Sequence, residues 1–326
     1  MSSATVALTQ CRDYEPDRVA RSIRRQFELL GGLERFVKPG DSVLLKPNFI
    51  APRSHREAAA QTHPVVILEA AKLLRDFGAR PFVADSPAWA NAATCARVLE
   101  LTEPLKRLGV PLKESGPSEK RRLGPDLPRV RISRVALEAD VIVNLAKFKA
   151  HQQLFATFAV KNMFGCVSGK RKALWHFKRG ADPRAFCELL IGIYRHLSPA
   201  LTIIDGIVAM EGQGPIHGTS RPLGWLIGGT EPIACERICC HLAGIRPEQV
   251  PIMRTAREIG FGCADLDEID VVGDALPPPS TDFALPRMIP IRFTFLHVCQ
   301  SIARQIVLLA RSSRASRKAP TDTDCD

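Results

Sequence analysis

The chain has 326 residues, 45% hydrophobic and 24% charged, which is enough apolar content for a substantial buried core and argues against wholesale disorder. The formal net charge is +11, yet aromatics make up only 6%, with two Tyr and three Trp, which disfavours a single-strand nucleic-acid binder built on stacking platforms. Basic residues run along the whole chain, at Arg21–Arg25, Lys120–Arg122, Lys170–Lys172 and Arg311–Lys318, so the charge points to an anionic small molecule or surface as well as to solubility.

Ten cysteines occur without a single Cys-x-x-Cys, so neither a zinc ribbon nor a ferredoxin-type cluster is written here. The start, MSSATVALTQ, has no basic region leading into an apolar run, and no apolar stretch reaches membrane-spanning length. Both point to a cytoplasmic protein with reduced thiols, touching a membrane peripherally at most.

In chain order, Ser42–Lys46 reads as a buried strand closed by Pro47-Asn48. His63–Gly78 carries Val66, Leu68, Ala71, Leu73 and Leu74 at helical spacing, with Gly78 as C-cap. Pro81–Asp85 is the next strand, and Asn91–Gly109 a second amphipathic helix. Pro111–Pro128 is polar and rich in Gly, Pro and Lys, the composition of a loop. Ala139–Leu145 is a strand, Pro183–Leu197 a helix, and Ala200–Asp205 a strand ending in Asp-Gly. Leu223–Ile227 reads as a strand, Glu231–Gly244 and Ile252–Gly260 as helices, and Ile269–Val272 as a last strand.

This alternation predicts an α/β fold over residues 1–273, with a mainly parallel twisted sheet and flanking helices. A Pro-rich linker follows over 274–290, then an amphipathic helix over 291–310 and a disordered basic and polar tail over 311–326. Basic residues flank the apolar stripe of that helix, so it suits docking on protein or on an anionic membrane surface.

Ligands of open α/β sheets bind beyond the carboxyl ends of the strands, so polar residues placed there are the candidates for function. They are Lys46 and Asn48, Asp85, Lys147 and Lys149, and Asp205. Turn chemistry accounts for Asp and Asn at such positions but poorly for lysines. Lys147 and Lys149, two apart in an extended stretch, are expected to grip one phosphate or carboxylate. His151 is placed as a proton carrier, and His176 lies in a basic aromatic segment nearby. Lys161 and Asn162 would join the ligand shell, with Gly165 and Gly169 admitting backbone N–H groups to an anion. Gly212 and Gly214 suggest close backbone contact around Glu211. Asp205 and Glu211 are expected either to hold a hard cation such as Mg²⁺ or to serve as an acid–base pair. Cys235, Cys239 and Cys240, one helical turn apart among apolar residues, read as core.

Together, Leu45-Lys-Pro-Asn48, Thr62-His-Pro64, Asp85-Ser86, Lys147-x-Lys149-x-His151, Lys161-Asn-x-Phe-Gly165, His176, Asp205-Gly206, Glu211-Gly-x-Gly-Pro215 and Gly244 resemble the domain of unknown function 362 family. The resemblance runs from Val43 to Gly273 and implies an α/β fold with an iron–sulfur or redox association. The chain departs from the usual pattern at Ala146 and Ala150, and at Glu231 and Glu236, where the family favours Asp. It also lacks the cluster-binding cysteines of the appended domain that many members carry.

The leading expectation is an enzyme acting on an anionic small molecule, phosphorylated compounds included. In it Lys46, Lys147, Lys149 and Lys161 bind the anion, Asn48 and Asn162 orient it, and His151 transfers a proton. The alternatives are a redox-associated protein without its own cluster and a non-catalytic membrane-surface or binding protein. A homo-oligomer or a redox partner is compatible with either, and nucleic acid is not expected.

Overall fold

The computed structural model describes residues 4–57, 59–88, 90–167 and 171–292. The expected C-terminal helix and tail from residue 293 onward, with Gly169 and Lys170, lie outside the described residues.

Eleven strands are described: β1 (Ala4–Gln10), β2 (Ser42–Pro47), β3 (Arg80–Asp85), β4 (Leu112–Glu114), β5 (Ser118–Arg122), β6 (Arg129–Ser133), β7 (Val141–His151), β8 (Phe155–Thr157), β9 (Leu201–Glu211), β10 (Thr219–Gly229) and β11 (Ile269–Gly273). Nine form one sheet in the order β11-β1-β10-β9-β7-β2-β3-β4, with β8 added beside β7, while β5 and β6 make a separate ribbon. Within the large sheet β10 and β8 run against their neighbours, and the other pairings are parallel. The expected α/β class and mainly parallel sheet are what the chain adopts.

The central strands are apolar on both faces because helices cover both. On one side Val43, Leu45, Val143, Leu145 and Ile203 pack into a layer with Ile23, Phe27, Ile67 and Leu74, from the helices Pro16–Leu29 and Pro64–Asp76. On the other, Leu44, Ile142, Ala146 and Phe148 pack with Phe186, Leu190 and Ile238, from the helices Pro183–Leu197 and Pro232–Leu242. The buried Cys235, Cys239 and Cys240 belong to this second layer.

From β2 the chain winds outward through β3 to β4, then returns to lay β7 on the opposite side of β2. Strand order therefore reverses between β2 and β7, which is where crevices open in doubly wound sheets. Lys46 and Asn48 come from one side of that switch, and Lys147, Lys149 and His151 from the other.

Several elements differ from the sequence-based expectation. The span Asn91–Gly109 forms two helices, Ala92–Val98 and Thr102–Arg107, separated at Glu100 with φ +57°. Pro104 stands in the first turn of the second helix, where its missing N–H is no loss, and so favours a new helix start. Pro111–Pro128 contains β4 and β5; β5 escapes notice because its sequence, SEKRR, is polar along its whole length. The strands β7 and β9 run well past Leu145 and Asp205, so Lys147, Lys149, His151 and Asp205 sit within strands and not in loops beyond them. The stretch 274–290 is laid against the domain: Gly212 N donates to Ala284 O at 2.8 Å, Ile289 N donates to Gln152 O at 2.9 Å, and Phe283 joins the core.

Candidate functional site

The switch between β2 and β7 gathers a group of buried lysines, two of which are matched by carboxylates. Lys46 Nζ stands 2.9 Å from Asp85 Oδ1, and Lys147 Nζ 2.7 Å from Asp205 Oδ2, with all four side chains at most 2% exposed. Lys147 and Asp205 are register partners across β7 and β9, so backbone pairing alone brings them together. Asp205 is further held by the Tyr14 hydroxyl at 2.8 Å and the backbone N–H of His63 at 3.0 Å. Asp85 accepts from the backbone N–H of Phe49 at 2.8 Å and of Ser86 at 2.7 Å.

Two asparagines link Lys46 to Lys149. Asn162 Oδ1 accepts from Lys46 Nζ at 3.3 Å and from Asn48 Nδ2 at 2.9 Å, while its own amide donates to Asn144 Oδ1 at 2.7 Å. Asn48 Oδ1 accepts from Lys149 Nζ at 2.5 Å, and Lys149 also donates to Ala60 O at 2.9 Å. Thr62 braces the assembly by accepting Asn48 N–H and donating to Leu145 O, each at 2.8 Å. The next residue, His63, N-caps the helix Pro64–Asp76 and stacks on Tyr14 at 3.5 Å.

Lys149, Lys161 and Lys172 have no carboxylate partner among the described residues. Burial, then the neighbouring Lys161 and Lys147, pulls Lys149 well below the ordinary lysine range. Burial lowers Lys161 and Lys172 to about 8 each, with mutual repulsion adding to it for Lys161. A buried cation without a counter-charge is costly, so these amines lean toward neutrality until an anion arrives. Lys161 is only partly enclosed, and Asn48, Tyr14 and His63 share that partial exposure.

His151 Nε2 lies 2.8 Å from Lys161 Nζ, and its Nδ1 accepts from Gln153 N–H at 3.1 Å. Burial followed by the Lys161 and Lys149 charges holds the ring neutral, well below its usual range. His176, lowered to about 3 mainly by burial, lies against Phe186 and Phe164, with Nδ1 3.2 Å from Ile291 O.

Gly165 is where the chain must pass close: a side-chain carbon there would lie 2.7 Å from Lys46 Nζ and closer still to Asp85. Beside this pair is a small crevice lined in part by Ser115, Ser133 and Cys166.

Three expectations about the site are revised. Asp205 and Glu211 are six residues apart along one strand, about 20 Å at the rise of an extended chain, so they form neither an acid–base pair nor a cation cage. Both Asp205 oxygens are taken by protein donors, Glu211 accepts from Ala284 N–H at 3.0 Å, and no cluster of three metal-binding side chains occurs among the described residues. The donor set does not fit Mg²⁺. Gly212 and Gly214 serve the turn between β9 and β10: Gly212 has φ +71°, and a side chain on Gly214 would strike Ala150 O of β7. Lys147 and Lys149, expected to grip one anion together, are not equivalent cations, because Asp205 already neutralises Lys147.

Tyr14, His63 and Lys172 are site residues that sequence reasoning missed. Tyr14 is one of only two tyrosines but sits in a segment with no motif. Lys172 is masked by a basic run, and His63 belongs to Thr62-His-Pro64, which was legible only as part of the family pattern. The departures Glu231 and Glu236 are caps: Glu231 accepts from Ile233 and Ala234 N–H at 3.0 and 2.6 Å. Glu236 Oε1 accepts from Val160 N–H at 2.8 Å, at the start of the short helix Ala159–Asn162 that carries Lys161 and Asn162.

The chain is 37% identical over 305 residues to the "Thylakoid-associated protein sll1697" of Synechocystis sp., covering 90% of this chain and 94% of that protein. Among solved structures it is similar to the lactate racemase apoprotein of Thermoanaerobacterium thermosaccharolyticum, with TM-score 0.46 and 12% identity over 73% of this chain and 57% of that one. Residues 43–241, which hold the lysine cluster, its asparagines and both carboxylates, match a family pattern: the chain belongs to the family described as Domain of unknown function (DUF362).

Proposed function

We propose that the Lys149–Lys161 end of the cluster binds a small carboxylate or phosphate, and that the His151–Lys161 pair moves a proton at it, making the chain an enzyme acting on an anionic small molecule. The observation carrying this reading is charge imbalance: the carboxylates neutralise Lys46 and Lys147, while Lys149, Lys161 and Lys172 have no carboxylate partner among the described residues. A bound oxyanion would supply the missing charge and accept several N–H donors at once. Asn48 and Asn162 would hold Lys149 and Lys46 in place around it. Thermal unfolding in rising inorganic phosphate tests this. Stabilisation should grow with the logarithm of phosphate and be lost in Lys149→Met. A melting temperature that responds to phosphate no more than to chloride would sink the reading.

A second reading, contact with an anionic membrane surface, rests on the ribbon β5–β6. Lys120 pairs across it with Arg131 and Arg122 with Arg129, so four exposed cations share one face while Val130 and Ile132 bury the other. Like charges directly opposite cost stability, and an anionic surface would offset that. The name of the thylakoid-associated relative agrees with such contact. Co-sedimentation with phosphatidylglycerol vesicles should be strong at low salt and fall sharply in Lys120→Glu/Arg129→Glu; equal binding by both proteins would refute it.

A further inference from the structure

We propose that Lys161 is a covalent nucleophile that forms an imine with a carbonyl compound carrying a carboxylate or phosphate, with His151 as its proton partner. The inference rests on the anion-site reading for the substrate's charged group, but it stands on a different observation, the tautomer of His151.

The Nδ1 of His151 accepts the backbone N–H of Gln153, so the proton of the neutral ring must sit on Nε2. That nitrogen points at Lys161 Nζ across 2.8 Å. An ammonium there would set two N–H donors against each other. The contact is satisfied only if Lys161 is a neutral amine whose lone pair accepts the imidazole N–H. The local surroundings favour that form: burial and then the Lys172 charge lower Lys161 to about 8, His151 and His176 are neutral, and no carboxylate pairs with Lys161 among the described residues. Lys161 also sits in the short helix Ala159–Asn162, whose first turn is fixed by Glu236, so its backbone is held in place.

A carbonyl group entering between the two residues can use both halves of this contact. The Lys161 lone pair forms the new C–N bond as the C=O π bond breaks, and the His151 Nε2 proton passes to the oxygen while the new nitrogen returns one of its protons to Nε2, giving a neutral carbinolamine and a neutral imidazole. A proton taken up from solvent then reaches the hydroxyl, the C–O bond breaks with loss of one water, and the nitrogen lone pair closes the C=N bond of the protonated imine. The protonated imine adds positive charge beside Lys149 and Lys172, which only a substrate with its own anionic group would balance. That requirement selects oxo acids and phosphorylated aldehydes or ketones over neutral carbonyls.

The test treats the full chain at pH 7 with glyoxylate, the smallest aldehyde bearing a carboxylate, and traps imines with cyanoborohydride for peptide mass mapping. With its pKa at about 8 and not 10.5, Lys161 holds roughly three hundredfold more free amine than an exposed lysine at this pH. It should therefore gain a carboxymethyl group at least about tenfold faster than the average surface lysine, and inorganic phosphate should slow it. The acceleration should vanish for neutral propanal and fall in His151→Phe. Modification of Lys161 no faster than of surface lysines overturns the proposal, and needs no variant to fold. If phosphate stabilises the protein but Lys161 is not selectively trapped, the nucleophile fails and the anion site stands. Selective trapping without any response to phosphate keeps the nucleophile and removes the anion site.

Discussion

Lys147 and Asp205 face each other in register on two parallel strands and close to 2.7 Å, both essentially without solvent contact. This makes Asp205 a structural counter-charge for a buried ammonium before it can be anything else. Asp205→Asn should destabilise the fold by about 3–5 kcal/mol, because it strands Lys147 as an uncompensated buried cation. The double variant Lys147→Met/Asp205→Asn should recover much of that loss. Denaturant unfolding of the three proteins gives the comparison, and equal stability of the single and double variants would show that the pair is not coupled.

Gly165→Ala places a methyl group 2.7 Å from Lys46 Nζ and closer still to Asp85, against both members of this buried pair. Overpacking at such a position costs about 1–3 kcal/mol. Chemical denaturation reads this loss directly, and an unchanged midpoint would mean that the 3-10 turn Met163–Cys166 yields freely.

Glu236 is buried, and desolvation pushes its carboxyl up to about 8, so it is largely a neutral acid at pH 7. A raised carboxyl pKa means that the folded state binds the extra proton between about 4.5 and 8, so this contribution fades as pH rises through 8. Glu236→Gln keeps an oxygen for the Val160 N–H and has nothing to ionise. It should exceed wild type by a margin that grows from pH 6 to pH 9. Glu236→Ala should lose about 1–3 kcal/mol at pH 6, having left the start of the Lys161 helix uncapped, and less at pH 9, where it too has nothing to ionise. Stability curves that stay parallel from pH 6 to 9 would contradict the shift.

His63 and His176 are both lowered to about 3 by burial, so the unfolded chain takes up their protons first as pH falls below 6.5. The unfolded state then binds more protons between pH 6.5 and 3, and stability drops through that window. Glu236 works in the opposite sense, so the effect is cleanest in Glu236→Gln. There the loss should approach about 1.4 kcal/mol per pH unit for each histidine. Urea unfolding between pH 6.5 and 5 checks it, and a flat profile would contradict neutral buried rings.

The sheet was legible because its strands are short apolar runs between turn residues, and the lysines stood out because turn chemistry does not call for them. The ends of β7 and β9 were not legible: Lys147, Lys149 and Asp205 look like loop residues until the opposing charge on the next strand is known. Register decides that, and register depends on how far apart segments pair. The same limit made Asp205 and Glu211 look like partners, since neighbouring motifs in sequence end about 20 Å apart on an extended strand. Tyr14 and Lys172 reach the site from distant segments, where no local pattern marks them.

The central claim is that buried lysine amines wait for an anion, and proton-linked calorimetry tests it most directly. Inorganic phosphate titrated at pH 9, in two buffers of different ionisation heat, reports how many protons accompany binding. Lys161 and Lys172, at about 8 in the free protein, are mostly neutral at that pH and should regain protons against a bound anion. The account predicts uptake of roughly one to two protons per phosphate. Binding with no proton uptake, or no binding at all, would contradict it.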